Sequence, residues 1–462
     1  MKLYRTNYFY LFVLLFLFVI ACRKYEVLPD NEQDPRMSGG GQTAFDQGSS
    51  AFDHSFTGLS GRDQLIHDRG DKQFDLPFVP APSHVNPGIG PLYNNISCGS
   101  CHTSQGSGSP PFAGSAASFE SFFLRLSLNS GTDEHGGPLP VPGFGGQLQN
   151  QVVYGTKEGD YDVTYTTQTF TYPDGNTAQL RTPIYTIYNT YIPFPANVAV
   201  SPRMAPSIFG LGLLENISDS SIIAMANQAQ TDTTVIPGHP NYVWDLEKNK
   251  MSVGRFGHKC ETPTLKQQIA FALNEDIGIT TNMMPTENCY GQAQYYNDSL
   301  HPEMSDSTLN NLVFYIRTIQ VPARRNVTDP TVMRGEQLFK QAKCVGCHRQ
   351  TIVTDVNVAF PQVSGQTIHP YTDLLLHYLG NGLADNRVVY SAAGNEYRTC
   401  PLWGIGLTQV VTGQTSFLHD GRARTFEEAI LWHGGEANYS QKFFVNLSKS
   451  DRDALIAFLN SL

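Results

Sequence analysis

The chain of 462 residues and 51.1 kDa is long enough for roughly two to four domains and more than one buried core. Hydrophobic residues make up 40% and charged residues 16%, with 41 Gly and 28 Pro, a composition too apolar for a disordered chain and rich in turns. The net charge of −10 gives no basic footprint for nucleic acid, and eight cysteines are too few for a disulfide-built fold of this size.

Lys2 and Arg5 precede an apolar run from Phe9 to Ile20 that ends in Ala21-Cys22. This is the layout of a signal peptide over residues 1–21. Val19-Ile20-Ala21-Cys22 has the form of a bacterial lipobox, in which Cys22 is acylated; the alternatives are an ordinary signal peptide or an anchor helix. Residues 22–44 are polar and carry Gly39-Gly40-Gly41, which predicts a flexible tether. The expected location is the cell envelope, as a periplasm-facing or outer-membrane lipoprotein that meets the membrane only through its N-terminal lipid.

Cys98-Gly-Ser-Cys101-His102 recurs 246 residues later (from 98 to 344) as Cys344-Val-Gly-Cys347-His348. Two thiols three residues apart reach the two vinyl groups of one porphyrin, and the next imidazole then lies under the iron. A zinc ribbon or a thioredoxin-like dithiol would not require a His after both pairs. The motifs therefore predict two covalently bound haem c groups, with His102 and His348 as proximal iron ligands. Cys260, Cys289 and Cys400 are left over; either Cys260 bridges Cys289 or all three are buried thiols.

Between residues 145 and 192, β-branched and aromatic runs alternate with turns and predict a small β-rich insertion in the first lobe. Arg203-Met-Ala-Pro-Ser-Ile-Phe-Gly-Leu-Gly-Leu then matches Arg398-Thr-Cys-Pro-Leu-Trp-Gly-Ile-Gly-Leu. Downstream, the segment from His258 to Ile269 lies without gaps on that from His419 to Ile430, an offset of 161 (258 to 419). In both, Thr264 and Thr425 stand where a helix N-cap belongs. Residues 45–325 thus read as one c-type haem domain and 326–462 as a second, which ends in a capped amphipathic helix. The predicted fold is mainly α, two cytochrome-like lobes with a β insertion in the first.

The two copies differ where an axial ligand would sit. His433 ends the second repeat helix, placed to close one haem from the distal side; its counterpart Ala272 cannot bind iron. One turn on comes Asp276, with Glu275 beside it. One haem is therefore expected to be closed by His348 and His433, and the other to be open beside a carboxylate. Met204, Met283, Met284 and Met304 are the residues that could close the first haem instead.

Leu418-His-Asp-Gly-Arg-Ala-Arg-Thr-Phe-Glu-Glu-Ala-Ile resembles the C-terminal segment of bacterial di-haem cytochrome c peroxidases and of the di-haem enzyme that matures methylamine dehydrogenase. Gly90-Pro-Leu-Tyr-Asn-Asn-Ile-Ser-Cys98-Gly-Ser-Cys101-His102, Asp276-Ile-Gly-Ile-Thr280, Pro370-Tyr-Thr-Asp-Leu-Leu-Leu-His377 and Ile430-Leu-Trp-His-Gly-Gly-Glu436 resemble the branch known as di-haem thiol oxidoreductases or di-haem peroxidases. The likeness runs from about Phe45 to Leu462. It implies a distal acid matching Asp276, less closely Glu275, His419 at the cofactor, and a calcium ion between the lobes. His433 departs from the Met and Tyr of the relatives, and His258 from a Trp that helps pass electrons between their haems.

The expected activity is a peroxidase-like di-haem oxidoreductase, with a small oxidant such as hydrogen peroxide and an electron donor or acceptor protein of the envelope as partners. Arg203 and Arg398 are expected to pair with haem propionates. A six-coordinate electron carrier or redox sensor and a sulfur- or thiol-oxidising enzyme are the rivals.

Overall fold

The computed structural model describes residues 34–114, 121–228, 236–289, 291–296 and 299–462; Cys22 and the signal segment lie outside them. β1 (Phe122–Leu128), β2 (Asp160–Thr171), β3 (Thr177–Tyr188) and β4 (Val198–Met204) are its longer strands. β2 and β3 form one hairpin, as their Thr, Tyr, Val and Ile content favours, and β1 pairs antiparallel with β4, Arg125 opposite Ser201. Seven two-stranded sheets occur among the described residues. The expectation of a mainly α fold is therefore wrong: the chain is 30% helix and 19% strand. The β1/β4 ladder lies outside the expected insertion, and much of the chain around the cysteine motifs is loop.

The helices are short and capped as the sequence indicates. Those used below are α1 (Gly61–Asp75), α2 (Leu265–Ala272), α3 (Asp306–Arg317), α4 (Pro330–Gln341), α5 (Phe426–Trp432) and α6 (Lys449–Ser461). Thr264 accepts from Gln267 N at 3.2 Å and Thr425 from Glu428 N at 3.1 Å, so the repeat extends to its capping hydrogen bonds. Asp329 caps α4, with Pro330 in the first turn, where its missing N–H costs nothing. α1 crosses α3 and α4 crosses α6 at glycines. A Cβ on Gly335 would come 1.9 Å from Ala454 O, so only Gly permits the α4/α6 approach that packs Phe339 on Phe458.

Arg36–Leu462 forms one compact unit, and its two largest cores each take side chains from both halves of the sequence. Leu374, Leu375 and Trp403 join the core of Phe52, Leu213 and Tyr315, whereas Tyr172 and Ala178 of the β2/β3 hairpin join that of Phe339, Phe426 and Phe458. The hairpin is tied down by hydrogen bonds. Tyr172 Oη donates to Glu427 at 2.8 Å, Arg181 donates to the carbonyls of Gly421 and Arg422, and Tyr185 Oη donates to Asp420 at 3.1 Å. Arg452 stacks over the Tyr172 ring at 3.9 Å and pairs with Asp174 at 2.7 Å.

The expected tether also needs correction over its last residues. Thr43–Ala44 pairs parallel with Val321–Pro322, and Ser38, Gln42 and Thr43 are buried, with Gly39 N donating to Thr43 Oγ1 and Thr57 N to Gln42 Oε1, both at 2.9 Å. Among the described residues no helix is long and apolar enough to cross a membrane.

Candidate functional site

The chain folds Cys98, Cys101 and His102 into a single helical turn and its C-cap, with Ser97 as N-cap accepting from Ser100 N at 3.1 Å. Cys344–Gly346 makes the equivalent turn as a 3₁₀ segment. Both sets of thiols and imidazoles line one cavity of about 850 Å³, a size typical of sites for large organic ligands. His433, Asp276, Glu275, Arg203, Arg398 and His419 line the same cavity.

Three imidazoles in it share one arrangement. His102 Nδ1 lies 2.7 Å from Pro206 O, His348 Nδ1 2.9 Å from Tyr371 O, and His433 Nδ1 2.7 Å from Ala429 O. A carbonyl on Nδ1 fixes the tautomer with its proton there and leaves Nε2 as the free lone pair, which is how ligating imidazoles are oriented. Burial pushes His102 and His348 down to about 4 and also lowers His433, so all three are neutral and fit to bind a metal near pH 7. His433 is the C-cap of α5, and Gly434-Gly435 stops the helix as the sequence indicates.

The wall also fits the carboxylates of a porphyrin. Arg203 Nε and Nη2, Arg387 Nη1 and Arg398 Nη1 are buried without a hydrogen-bond acceptor. Arg203 Nε and Arg387 Nη1 each lie 3.7 Å from Glu261, too far for a hydrogen bond, so the three guanidiniums that line the cavity keep donors for an anionic group. Arg203 is held from behind by Asp385 at 2.8 Å, which also meets the fully buried Lys259 at 3.1 Å. Tyr397 packs against this cluster, with Lys259 Nζ 4.6 Å from its ring and His419 stacked at 4.2 Å. His258 Nε2 lies 2.8 Å from Met204 O, and burial, then the nearby Arg203, pushes it down to about 4.

Asp276 reaches the cavity by a route different from the expected one. Leu273–Ile277 is a π-helical turn, not a continuation of α2, so Asp276 does not follow α-helical spacing. Such wide turns are common at functional sites. Gln147 Nε2 donates to Asp276 Oδ1 at 2.9 Å, and the Asp276 carbonyl accepts from Asn94 N and Asn95 N at 2.9 and 3.0 Å. Burial raises the carboxyl to about 6 against the opposing pull of Arg125 and Gln147. Glu275 lies 3.8 Å from Arg125, and its carbonyl accepts from Gln149 Nε2 at 2.7 Å.

Residues 33–462 match the family described as "Di-haem oxidoreductase, putative peroxidase". The chain belongs to that family. Haem cofactors and oxidoreductase chemistry follow at the level of the family. No curated protein matches this di-haem oxidoreductase. Among solved structures it is similar to a chain of Kuenenia stuttgartiensis hydrazine synthase, pressurized with 20 bar xenon. The two share 12% identity at a TM-score of 0.36, over 92% of this chain and 94% of that one.

The seven described cysteines of this di-haem oxidoreductase are free, so the Cys260–Cys289 bridge is not formed; Cys260 donates to Leu374 O instead. Cys400 lines the cavity, as do Met204 and Met284, whereas Met304 is packed in the first core. Among the described residues no group of three or more His, Cys, Asp and Glu could hold a metal ion. Two cavity residues, Arg125 and Arg387, escape the sequence reading, as does Gln147 behind Asp276; His377, the last residue of the Pro370–His377 motif, also lines the cavity. His377 lies between Asp373 at 2.9 Å and Glu436 at 2.7 Å, and these bonds raise it to about 12 despite its burial. The signal for Arg125 is a lone cation in the apolar strand Phe122-Phe-Leu-Arg-Leu-Ser-Leu, which marks an inward charge that needs a partner.

Proposed function

We propose that the chain is an exported, lipid-anchored enzyme that reduces peroxide, with one haem closed by His348 and His433 and a second, on His102, open beside Asp276. The observation that carries this reading is the unequal pair of repeat helices: α5 delivers an Nδ1-anchored His433 to the cavity, whereas α2 ends in Ala272 and is followed by a carboxylate. Cys98 and Cys101, and likewise Cys344 and Cys347, would hold the two porphyrins by thioether bonds. Arg203, Arg387 and Arg398 would bind their propionates. When bound, the haem pair supplies the one-electron chemistry that two-electron reduction of peroxide divides into steps.

The protein's own groups handle the proton. Gln147 Nε2 holds Asp276 Oδ1, which fixes the carboxylate at the cavity wall. With its carboxyl raised to about 6, Asp276 is an anion at pH 7 yet basic enough to take a proton from one peroxide oxygen and return it to the other. Calcium belongs to this reading only through the family resemblance.

Absorption and spin-resonance spectra of the oxidised and half-reduced protein, followed by peroxide addition, test it. One low-spin and one high-spin haem, with peroxide reacting at the latter, is the expected result. A second reading, an electron carrier with both haems six-coordinate, draws on the position of Met204 and Met284 in the cavity; two low-spin haems inert to peroxide would establish it.

A further inference from the structure

Two side chains from one sheet edge reach the Glu275-Asp276 pair, and the guanidinium among them acts on Asp276 through its charge. In β1, Leu126 N donates to Gly146 O at 2.8 Å and Leu124 O accepts from Leu148 N at 3.0 Å, so Arg125 faces Gln147 across an antiparallel bridge. Residues directly opposite in such a pair project to the same side. Gln147 reaches the Asp276 carboxylate at 2.9 Å, and Arg125 reaches its neighbour Glu275 at 3.8 Å. Arg125, Glu275 and Asp276 all line the cavity, and the Asp276 carboxylate acts on the thiols of Cys98 and Cys101. The charged and titratable groups facing Asp276 are Arg125, Glu275, Cys98 and Cys101; those facing Arg125 include Glu261 and Arg387.

We infer that Arg125 is the electrostatic partner of Asp276 in peroxide turnover: its guanidinium keeps the carboxylate available as a proton acceptor and stabilises the negative charge that builds on the departing oxygen. The inference rests on the peroxidase-like reading and deepens it. Reduction of one peroxide takes two electrons from an external one-electron reductant and two protons from solvent, and yields two waters. The proton that Asp276 removes from one oxygen goes back to the other, so the carboxylate ends as it began. Between those moments the O–O bond breaks and the far oxygen carries an electron pair. A fixed cation at the wall stabilises that state without reorganising. Gln147 is a positioning residue in this scheme, since it holds the carboxylate and carries no charge.

The test uses the holoprotein and two variants, Arg125→Gln and Arg125→Lys. The Asp276 carboxyl is titrated by its infrared C=O stretch, identified by its loss in Asp276→Asn, so this readout needs no turnover. Arg125→Gln should move the midpoint to higher pH by about 1 to 3 units. It should lower kcat about 100- to 1,000-fold with KM little changed, and shift the acid limb of the rate profile by the same amount. Arg125→Lys keeps the charge and should largely restore both. An unmoved midpoint in Arg125→Gln, in a protein that does consume peroxide, overturns the inference alone and leaves Arg125 as a counter-ion to Glu275. A wild type that consumes no peroxide overturns the peroxidase reading and the catalytic role of Arg125 with it.

Discussion

Ala272 and His433 stand at matching ends of two Thr-capped helices, 161 positions apart, and both face one cavity. A methyl group in one place and an imidazole in the other is enough to make two similar sites unequal. If His433 closes the second haem, His433→Ala should convert one low-spin signal to high-spin. His433→Met should keep six-coordination and raise the potential, since Met/His ligation does so. Unchanged spectra in both variants would remove His433 from the iron.

Attachment is separable from ligation. The mature protein should carry two haem masses that survive acid denaturation, and Cys101→Ser and Cys347→Ser should each disrupt one of them. Mass spectrometry of the denatured chain reads this directly; a single haem, or zinc in its place, would refute it.

Asp276 sets a pH dependence with a definite sign. Its carboxyl is raised by burial to about 6, so peroxide consumption should fall as pH drops through about 6 and the acceptor is lost. Asp276→Asn should abolish that limb and cost about 100- to 10,000-fold in rate, with both haems still attached. Stability should follow the opposite course. A folded pKa above the ordinary value of 3.8 means that the favourable contribution of the protonated acid is complete below about 4 and lost as pH rises through about 6. Asp276→Asn should therefore unfold less readily than the wild type at pH 7 and show no such advantage at pH 4, as read by denaturant titration.

The β2/β3 hairpin offers a test remote from the cavity. Arg452 stacks on Tyr172 and pairs with Asp174, and removing it leaves the ring uncovered. Arg452→Ala should cost about 1 to 2 kcal/mol in unfolding free energy. Tyr172→Phe, which loses only the bond to Glu427, should cost about 0.5 to 1.5 kcal/mol. Changes below about 0.3 kcal/mol in both would show that the hairpin is not anchored there.

The sequence was most readable where short-range chemistry dictates the outcome. The Thr264 and Thr425 caps, the Gly434-Gly435 stop and the C-terminal helix behind Ser448 follow from local rules, and the structure has them all. His102, His348 and His433 were legible because each follows a motif or ends a repeat. Arg125, Gln147 and Arg387 were not, because what brings them to the site is contact between segments distant in sequence. The register that faces Arg125 to Gln147 exists only once β1 is paired. The mainly α reading failed for the same kind of reason: a haem motif says what a site needs and little about what the intervening residues build. The π turn at Leu273–Ile277 leaves no mark in a pattern of apolar spacing.

The hairpin's grip on the far half of the chain bears on how such a protein can be inherited. Tyr172, Arg181 and Tyr185 are encoded well before the second cysteine motif, yet they hold Gly421, Arg422, Asp420 and Glu427, the residues that lead into and begin the helix ending at His433. A gene fragment that begins near residue 326 would encode the second haem motif but none of these anchors. It would expose the face of α5 that Tyr172 and Ala178 cover. The two halves are thus poor candidates for shuffling as interchangeable cassettes: duplication could create them, but afterwards their histories must run together.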